Sequence, residues 1–312
     1  MLETIALGPT DIRVPPLGVG TWQWGERGYW GYGLSYGQRD IEEAFVVSVN
    51  AGLTLFDTAE IYGGGQSERL LGDLIRKSQA SVVVASKYMP FPWRYGPTAF
   101  RMALDDSLQR LGLDHIDLYQ IHWPIPVVSI PDLMDAMADA VADGKIRAVG
   151  VSNYSAEQMR QAYEALQRRN IPLATNQVNY SLLKRTPEVN GVLDTCRELN
   201  VTLIAYSPLA QGLLTGRYTP LNPPMGPRFL SYLLMNKRAW QAVLDLLQHI
   251  GKEHDRTPAQ VALNWLIAQG NVVPIPGAKN ARHATSNAGA VGWSLTPAQR
   301  DALSDATLLW RC

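Results

Sequence analysis

Eight short runs of β-branched and aliphatic residues alternate with longer amphipathic stretches from Leu17 to Val273, and no other feature of the sequence narrows its possible folds as far. The runs predict strands at Leu17 to Val19, Leu53 to Phe56, Val82 to Ser86, Ile116 to Ile121, Ile146 to Val151, Leu173 to Gln177, Thr202 to Tyr206 and Val272 to Ile275. The stretches between them predict helices at Arg39 to Asn50, Ser67 to Lys77, Thr98 to Leu111, Pro131 to Asp143, Ser155 to Arg168 and Pro187 to Leu199, with a final pair before the last strand. Repeated βα units of this kind build a parallel sheet. A parallel α/β barrel takes ~250 residues, so the 312 residues suit one barrel domain over 1–312.

Local signals agree with this reading. Ser155, Thr257 and Thr296 each stand three residues before a Gln, the pattern of a capping box, and the latter two are followed by Pro at the first helical position. Gly52, Gly112 and Gly144 follow three of the helices where a left-handed residue ends them. A doubly wound sheet is the competing architecture, but Gly18-Val-Gly20 runs into Thr-Trp-Gln-Trp instead of the glycine turn that cradles a dinucleotide's phosphates. Segments Glu3 to Ala6 and Ile12 to Val14 flank Gly8-Pro-Thr-Asp11 and predict a hairpin that plugs the barrel's lower end. The expected fold is therefore a (β/α)8 TIM barrel with an N-terminal β-hairpin. Ala210 to Leu233, rich in Gly and Pro and including Pro227, is too irregular for a short βα connection and is expected to be a lid after the seventh strand.

Composition excludes several function classes. With 28 Lys+Arg against 28 Asp+Glu, the chain lacks the basic excess by which proteins bind nucleic acid or an anionic membrane. Two cysteines, Cys196 and Cys312, build no disulfide framework and no metal-ligand spacing, which fits a reducing cytoplasm. No basic-then-apolar leader and no apolar run of ~18 residues or more is present. The expected partner is a small molecule, without nucleic acid or membrane, in the cytoplasm.

Active sites of such barrels gather at the C-terminal ends of the strands. Those positions hold Asp57 and Tyr62, Lys87, His122, Ser152 and Asn153, Gln177, Tyr206 and Ser207, and the segment Gly277 to Arg282. A carboxylate, a phenol, an amine and an imidazole on one face make a general-acid device. A free phenol has a pKa near ~10, and an adjacent ammonium lowers it by favouring the phenolate; Lys87 is expected to do so for Tyr62, with Asp57 keeping Lys87 charged. His122 is placed to donate to the same substrate oxygen. None of these groups carries hydride, so a reduction needs a cofactor. Ser152, Asn153 and Gln177 suit a carboxamide and Tyr206 offers a ring for stacking, as a nicotinamide requires. Lys279 and Arg282 at a helix start suit phosphate.

Phe56-Asp-Thr-Ala-Glu-Ile-Tyr62-Gly, Ser86-Lys87, Leu113-Asp-His-Ile-Asp-Leu-Tyr-Gln-Ile-His122, Lys145-Ile-Arg-Ala-Val-Gly-Val-Ser-Asn153, Gln177-Val-Asn-Tyr180, Tyr206-Ser-Pro-Leu209 and Ile275-Pro-Gly-Ala-Lys279 closely resemble the aldo-keto reductase superfamily, in order along essentially the whole chain. The resemblance implies a barrel that reduces aldehydes and ketones with NADPH, without metal or flavin. It implies a catalytic tetrad of Asp57, Tyr62, Lys87 and His122, with Tyr62 as proton donor, and a carboxamide clamp of Ser152, Asn153 and Gln177 beneath a stacking Tyr206. Ser207, Leu209, Gln211 and Leu213 fall where the family holds pyrophosphate and ribose; Lys279 falls where it meets the adenosine 2'-phosphate and Asn287 where it reads the adenine edge, and Gly277, Arg282 and His283 beside them are expected to bind the cofactor too. His283 departs from the Arg or Gln many members place there, and Ser286 from the Glu that often precedes the Asn.

Taken singly, Asp57 reads as a capping residue, Lys87 as a solvated strand end and His122 as a core histidine; together with Tyr62 they read as a site. Trp22, Trp24, Trp30, Trp93 and Trp123 lie in loops facing it and are expected to rim a substrate pocket, whereas Trp240, Trp265 and Trp293 fit the core. A second resemblance, to the β-subunits of voltage-gated potassium channels, implies an alternative: an NADPH-holding regulatory module with little turnover. A phosphate-handling barrel isomerase would leave Ser152, Asn153 and Tyr206 unexplained.

Overall fold

In the computed structural model, which describes residues 2–226, 228–233 and 235–312, two short strands precede eight parallel ones. They are β1 (Ile5–Ala6), β2 (Arg13–Val14), β3 (Val19–Gly20), β4 (Leu55–Asp57), β5 (Val83–Tyr88), β6 (Ile116–Ile121), β7 (Ile146–Ser152), β8 (Leu173–Asn179), β9 (Thr202–Tyr206) and β10 (Val272–Pro274). Strands β3 to β10 pair in chain order. The sheet closes on itself where Gly18 N donates to Pro274 O (3.0 Å) and Gly20 N to Pro276 O (3.1 Å). The expected (β/α)8 barrel is thus formed, from strands whose two faces are both buried.

Inward-facing residues change character along the barrel axis. Leu55, Ala85, Leu118, Ala148, Ala174, Ile204 and Val273 fill the lower interior together with Leu7, Ile12 and Val14. The last three belong to the hairpin of β1 and β2, which closes that end as expected. Gly8 N donates to Thr202 Oγ1 (2.8 Å), and any Cβ on Gly8 would lie 2.5 Å from Ala174 O, so only glycine allows the plug to seat. Two residues further along each strand, the side-chain alternation turns Asp57, Lys87 and Gln120 inward instead. The apolar floor ends where polar side chains begin.

One irregularity decides which residue of β8 joins that polar layer. Val149 pairs with Leu173 but Gly150 pairs with Thr175, so β8 carries one extra residue. The bulge reverses its alternation, and Gln177 rather than Asn176 faces the interior. Asn176 instead donates to Tyr154 O from the outer face.

Helices cover the sheet around a second, larger apolar cluster. The three capping boxes are present at Ser155, Thr257 and Thr296, starting helices Ala156–Gln167, Pro258–Ile267 and Pro297–Ala306. The helix expected over Pro187 to Leu199 is broken into a 3-10 turn, Thr186–Glu188, and a helix, Val192–Glu198. Gly191, in the left-handed region at φ 82°, separates them, where continuous helix is impossible. The expected lid holds a 3-10 turn, Ala210–Gly212, and a short helix, Arg228–Leu233; Pro227 lies outside the described residues. Among the described residues, no helix is long and apolar enough to cross a membrane, and no cluster of His, Cys, Asp and Glu is arranged to hold a metal.

Candidate active site

The upper polar layer centres on a buried ion pair. Lys87 Nζ donates to Asp57 Oδ1 at 2.5 Å, to Thr58 O at 2.8 Å and to Tyr62 Oη at 3.3 Å, which uses all three ammonium protons. Lys87 is fully buried and Asp57 is 2% exposed, so the pair is shielded from water's screening. The second carboxylate oxygen is also held: Gln177 Nε2 donates to Asp57 Oδ2 at 2.7 Å and Gln120 Nε2 at 3.2 Å. Tyr62 is set by the turn Tyr62–Gly65 just past β4. Its ring meets the His122 ring edge-on at 5.7 Å. The expected tetrad residues therefore converge.

Electrostatics correct one expectation. Burial raises the Tyr62 pKa, the Lys87 ammonium opposes that rise, and the net effect is a phenol above its ordinary value. Lys87 does not make Tyr62 acidic at neutral pH, because desolvation of the phenolate outweighs one nearby cation. Burial alone would lower the Lys87 pKa, but the Asp57 carboxylate and the Tyr62 oxygen outweigh it and hold the ammonium charged. His122 is pushed down to about 3 by burial and then by Lys87, so its imidazole is neutral throughout the physiological range. Its Nδ1 has no partner among the described residues.

A cavity of about 1350 Å³ opens above these groups and runs from Trp22, Ile61 and Trp123 to Arg217, Lys279, Arg282 and His283. Along its floor, Ser152 Oγ donates to Gln177 O (2.9 Å), Asn153 Nδ2 to Ser152 Oγ and His122 O (both 3.0 Å), and Tyr206 Oη to Asn153 Oδ1 (3.0 Å). Asn153 sits at φ 62°, a conformation asparagine tolerates better than most residues, and this turns its amide across the barrel mouth. Ser207, Leu209, Gln211, Gly277 and Asn287 also line the cavity.

At the far end Asn280 caps helix Ala281–Ala288 by accepting from His283 N (3.0 Å). Lys279 Nζ donates to Trp30 O (2.9 Å) and lies over the Trp30 and Tyr36 rings at 4.9 and 4.5 Å. Burial and the cations Arg282, Lys279 and Arg217 hold His283 below the usual imidazole value. The loop after β3 also reaches the lid, where Tyr29 Oη donates to Gln211 Oε1 (2.6 Å).

Three expected site residues lie elsewhere. Leu213, within the lid, is buried in the helix-side apolar cluster, its carbonyl accepting from Trp240 Nε1 (3.0 Å). Trp24 is fully buried against Phe56 and donates to Ala278 O (2.9 Å), because its loop folds down between β3 and the β10 turn. Trp93 is 70% exposed and stacks on Phe91, outside the cavity. Trp22, Trp30 and Trp123 do line it. Trp24→Ala is expected to cost about 3–5 kcal/mol in urea unfolding, as for a large buried aromatic, with kcat/KM of the folded protein changed less than threefold. A large selective loss of kcat/KM would return Trp24 to the substrate pocket.

Gln120 and Arg217 were not singled out from sequence. For Gln120 a signal exists: it shares the parity of Leu118 within β6 and of His122 just beyond it, so it is a polar residue on the inward side of the strand. Arg217 sits in the lid, where no periodicity indicates direction.

The aldo/keto reductase family model matches residues 16–307. A curated relative, the chloroplastic pyridoxal reductase of Arabidopsis thaliana, is 40% identical over 308 residues, covering 94% of this chain and 83% of that protein. The NADH-specific methylglyoxal reductase of Escherichia coli is 30% identical, covering 99% and 97%. A solved aldo/keto reductase from Klebsiella pneumoniae, in complex with NADP and acetate, superposes with a TM-score of 0.76 at 29% identity, covering all of this chain and 96% of that one. The barrel, its hairpin plug and a match over nearly the whole sequence make this chain an oxidoreductase of the aldo/keto reductase family.

Proposed function

We propose that the protein reduces aldehydes or ketones to alcohols with NADPH, Tyr62 protonating the carbonyl oxygen. The observation that carries this is the buried Asp57–Lys87–Tyr62 chain beside a neutral His122 on the floor of a long cavity. A phenol raised above its ordinary pKa remains protonated at neutral pH, the state a proton donor needs. Once the proton leaves, the Lys87 ammonium at 3.3 Å stabilises the phenolate, so the pair acts on charge that develops in the transition state. Neutral His122 adds an N–H toward the same oxygen without a competing charge.

The cavity residues fit a nicotinamide dinucleotide. Ser152, Asn153 and Gln177 would hold a carboxamide and the Tyr206 ring would stack above it. Arg217, Lys279 and Arg282 surround the end where an adenosine 2'-phosphate would lie, which favours NADPH over NADH. Bound NADPH supplies the hydride. The aromatic wall of Trp22 and Trp123 suits a planar substrate, and the plant relative's name makes pyridoxal the first compound to test.

Steady-state NADPH oxidation with pyridoxal, aromatic aldehydes and methylglyoxal tests the reading. Turnover with at least one aromatic aldehyde is expected, with kcat/KM for NADPH about tenfold or more above that for NADH. Tight NADPH retention with negligible turnover across the panel would favour the sensor-like alternative instead.

A further inference from the structure

The Asp57 carboxylate has two sides, and only one is spoken for by the proposed reaction. Oδ1 faces Lys87. Oδ2 sits in an arrangement of two amides: Gln177 Nε2 at 2.7 Å and Gln120 Nε2 at 3.2 Å, while Gln177 Nε2 also approaches Gln120 Oε1 at 3.3 Å. Gln120 is fully buried and Gln177 is 2% exposed. The Gln177 amine is thereby used up, its two protons going to Asp57 and Gln120, which leaves its carbonyl oxygen as the group available to the cavity. Gly150 makes room for this. An added Cβ there would lie 2.8 Å from Gln120 Cγ and 2.3 Å from Thr175 Oγ1, so the bare backbone of β7 lets the Gln120 chain reach across to β4.

Resting on the reductase reading above, we infer that Gln120 is a positioning residue for the reaction: its amide fixes the orientation of the Asp57 carboxylate against Lys87 and fixes which end of Gln177 faces the cofactor. Gln120 supplies one of the two amide anchors on Asp57 Oδ2. Remove it and the carboxylate is free to turn, which loosens its contact with Lys87 Nζ. The ammonium is then less well placed against Tyr62 Oη, and the phenolate becomes harder to form. The titratable and charged groups facing Tyr62 are Lys87 on β5, Asp57 on β4, His122 beyond β6 and Tyr206 at the end of β9. Of these groups, the Gln120 side chain hydrogen-bonds only Asp57 among the described residues, while its backbone pairs with Lys87 on the neighbouring strand, so the effect of the amide travels through the carboxylate. Gln120 donates to Asp57 and not to Tyr62, which distinguishes it from a catalytic residue.

The test compares wild type, Gln120→Met and Gln120→Glu as full-length proteins loaded with NADP+. Tyrosine labelled with carbon-13 at the Cζ position reports the Tyr62 titration by NMR, the resonance being assigned by its loss in Tyr62→Phe. Gln120→Met is expected to raise the Tyr62 midpoint by about one pH unit, and the alkaline limb of kcat/KM should move with it. NADPH KM should rise at the same time, because Gln177 loses its second partner. Gln120→Glu keeps the volume but places a second acid against Asp57, so its midpoint should rise further. A structural role alone would lower the melting temperature and kcat without moving the midpoint. Midpoints within about 0.2 unit of wild type in either folded variant would overturn the inference. If wild type turns over no carbonyl compound, the reductase reading fails on its own, while the NMR midpoints still decide whether Gln120 controls Tyr62.

Discussion

Tyr62→Phe is expected to lower kcat for carbonyl reduction about a thousandfold, within the range that general acid catalysis contributes, and to leave NADPH affinity within twofold of wild type. The phenylalanine ring keeps the edge contact with His122, seen at 5.7 Å, and removes only the oxygen that Lys87 approaches at 3.3 Å. Single-turnover rates with NADPH prebound, together with fluorescence titration of the cofactor, separate the two quantities. Retained chemistry in the variant would transfer the proton-donor role to another group. The pH dependence has a defined sign. Because the Tyr62 pKa lies above the ordinary phenol value, reduction should be level through neutral pH and fall only at alkaline pH as the donor ionises. Alcohol oxidation, which needs the phenolate, should rise over that same alkaline range.

Lys87→Met should damage both stability and activity. The substitution leaves the Asp57 carboxylate, 2% exposed, with two amides and no cation. Breaking one side of a buried pair costs about 3–5 kcal/mol, since an uncompensated charge remains in a poorly polarisable interior. Urea unfolding monitored by circular dichroism measures this loss. The double variant Asp57→Leu/Lys87→Met should recover a large part of the stability and none of the turnover, because the isolated charge is gone while the device that supports Tyr62 is not restored. Equal destabilisation in the single and double variants would show that the site does not bury an unpaired charge. The raised Lys87 pKa contributes stability that is complete below about 10.4 and is lost only as pH rises further, so measurements at neutral pH capture all of it.

The inward and outward alternation of β6 explains why part of the site was readable and part was not. His122 was found because it follows a strand end, where barrel chemistry is expected. Gln120 lies one inward position lower, within β6 and not at its end, and its partner Asp57 is 63 residues away in sequence. Leu213 and Trp24 erred in the opposite direction: both follow strand ends, yet both turn into the core. A loop residue's direction depends on which surfaces the loop packs against, and no local period encodes that.

The order of strands and helices, the capped helix starts and the polar residues at strand ends followed from the sequence alone, because each rests on interactions between residues close together in the chain. Closure of the sheet through Gly18 and Gly20, the bulge that turns Gln177 inward and the net direction of the Tyr62 pKa were decided only in the folded molecule. Each of those depends on distances and burial set by segments far apart in sequence, and desolvation in particular has no local signature: it appears only when the whole barrel excludes water.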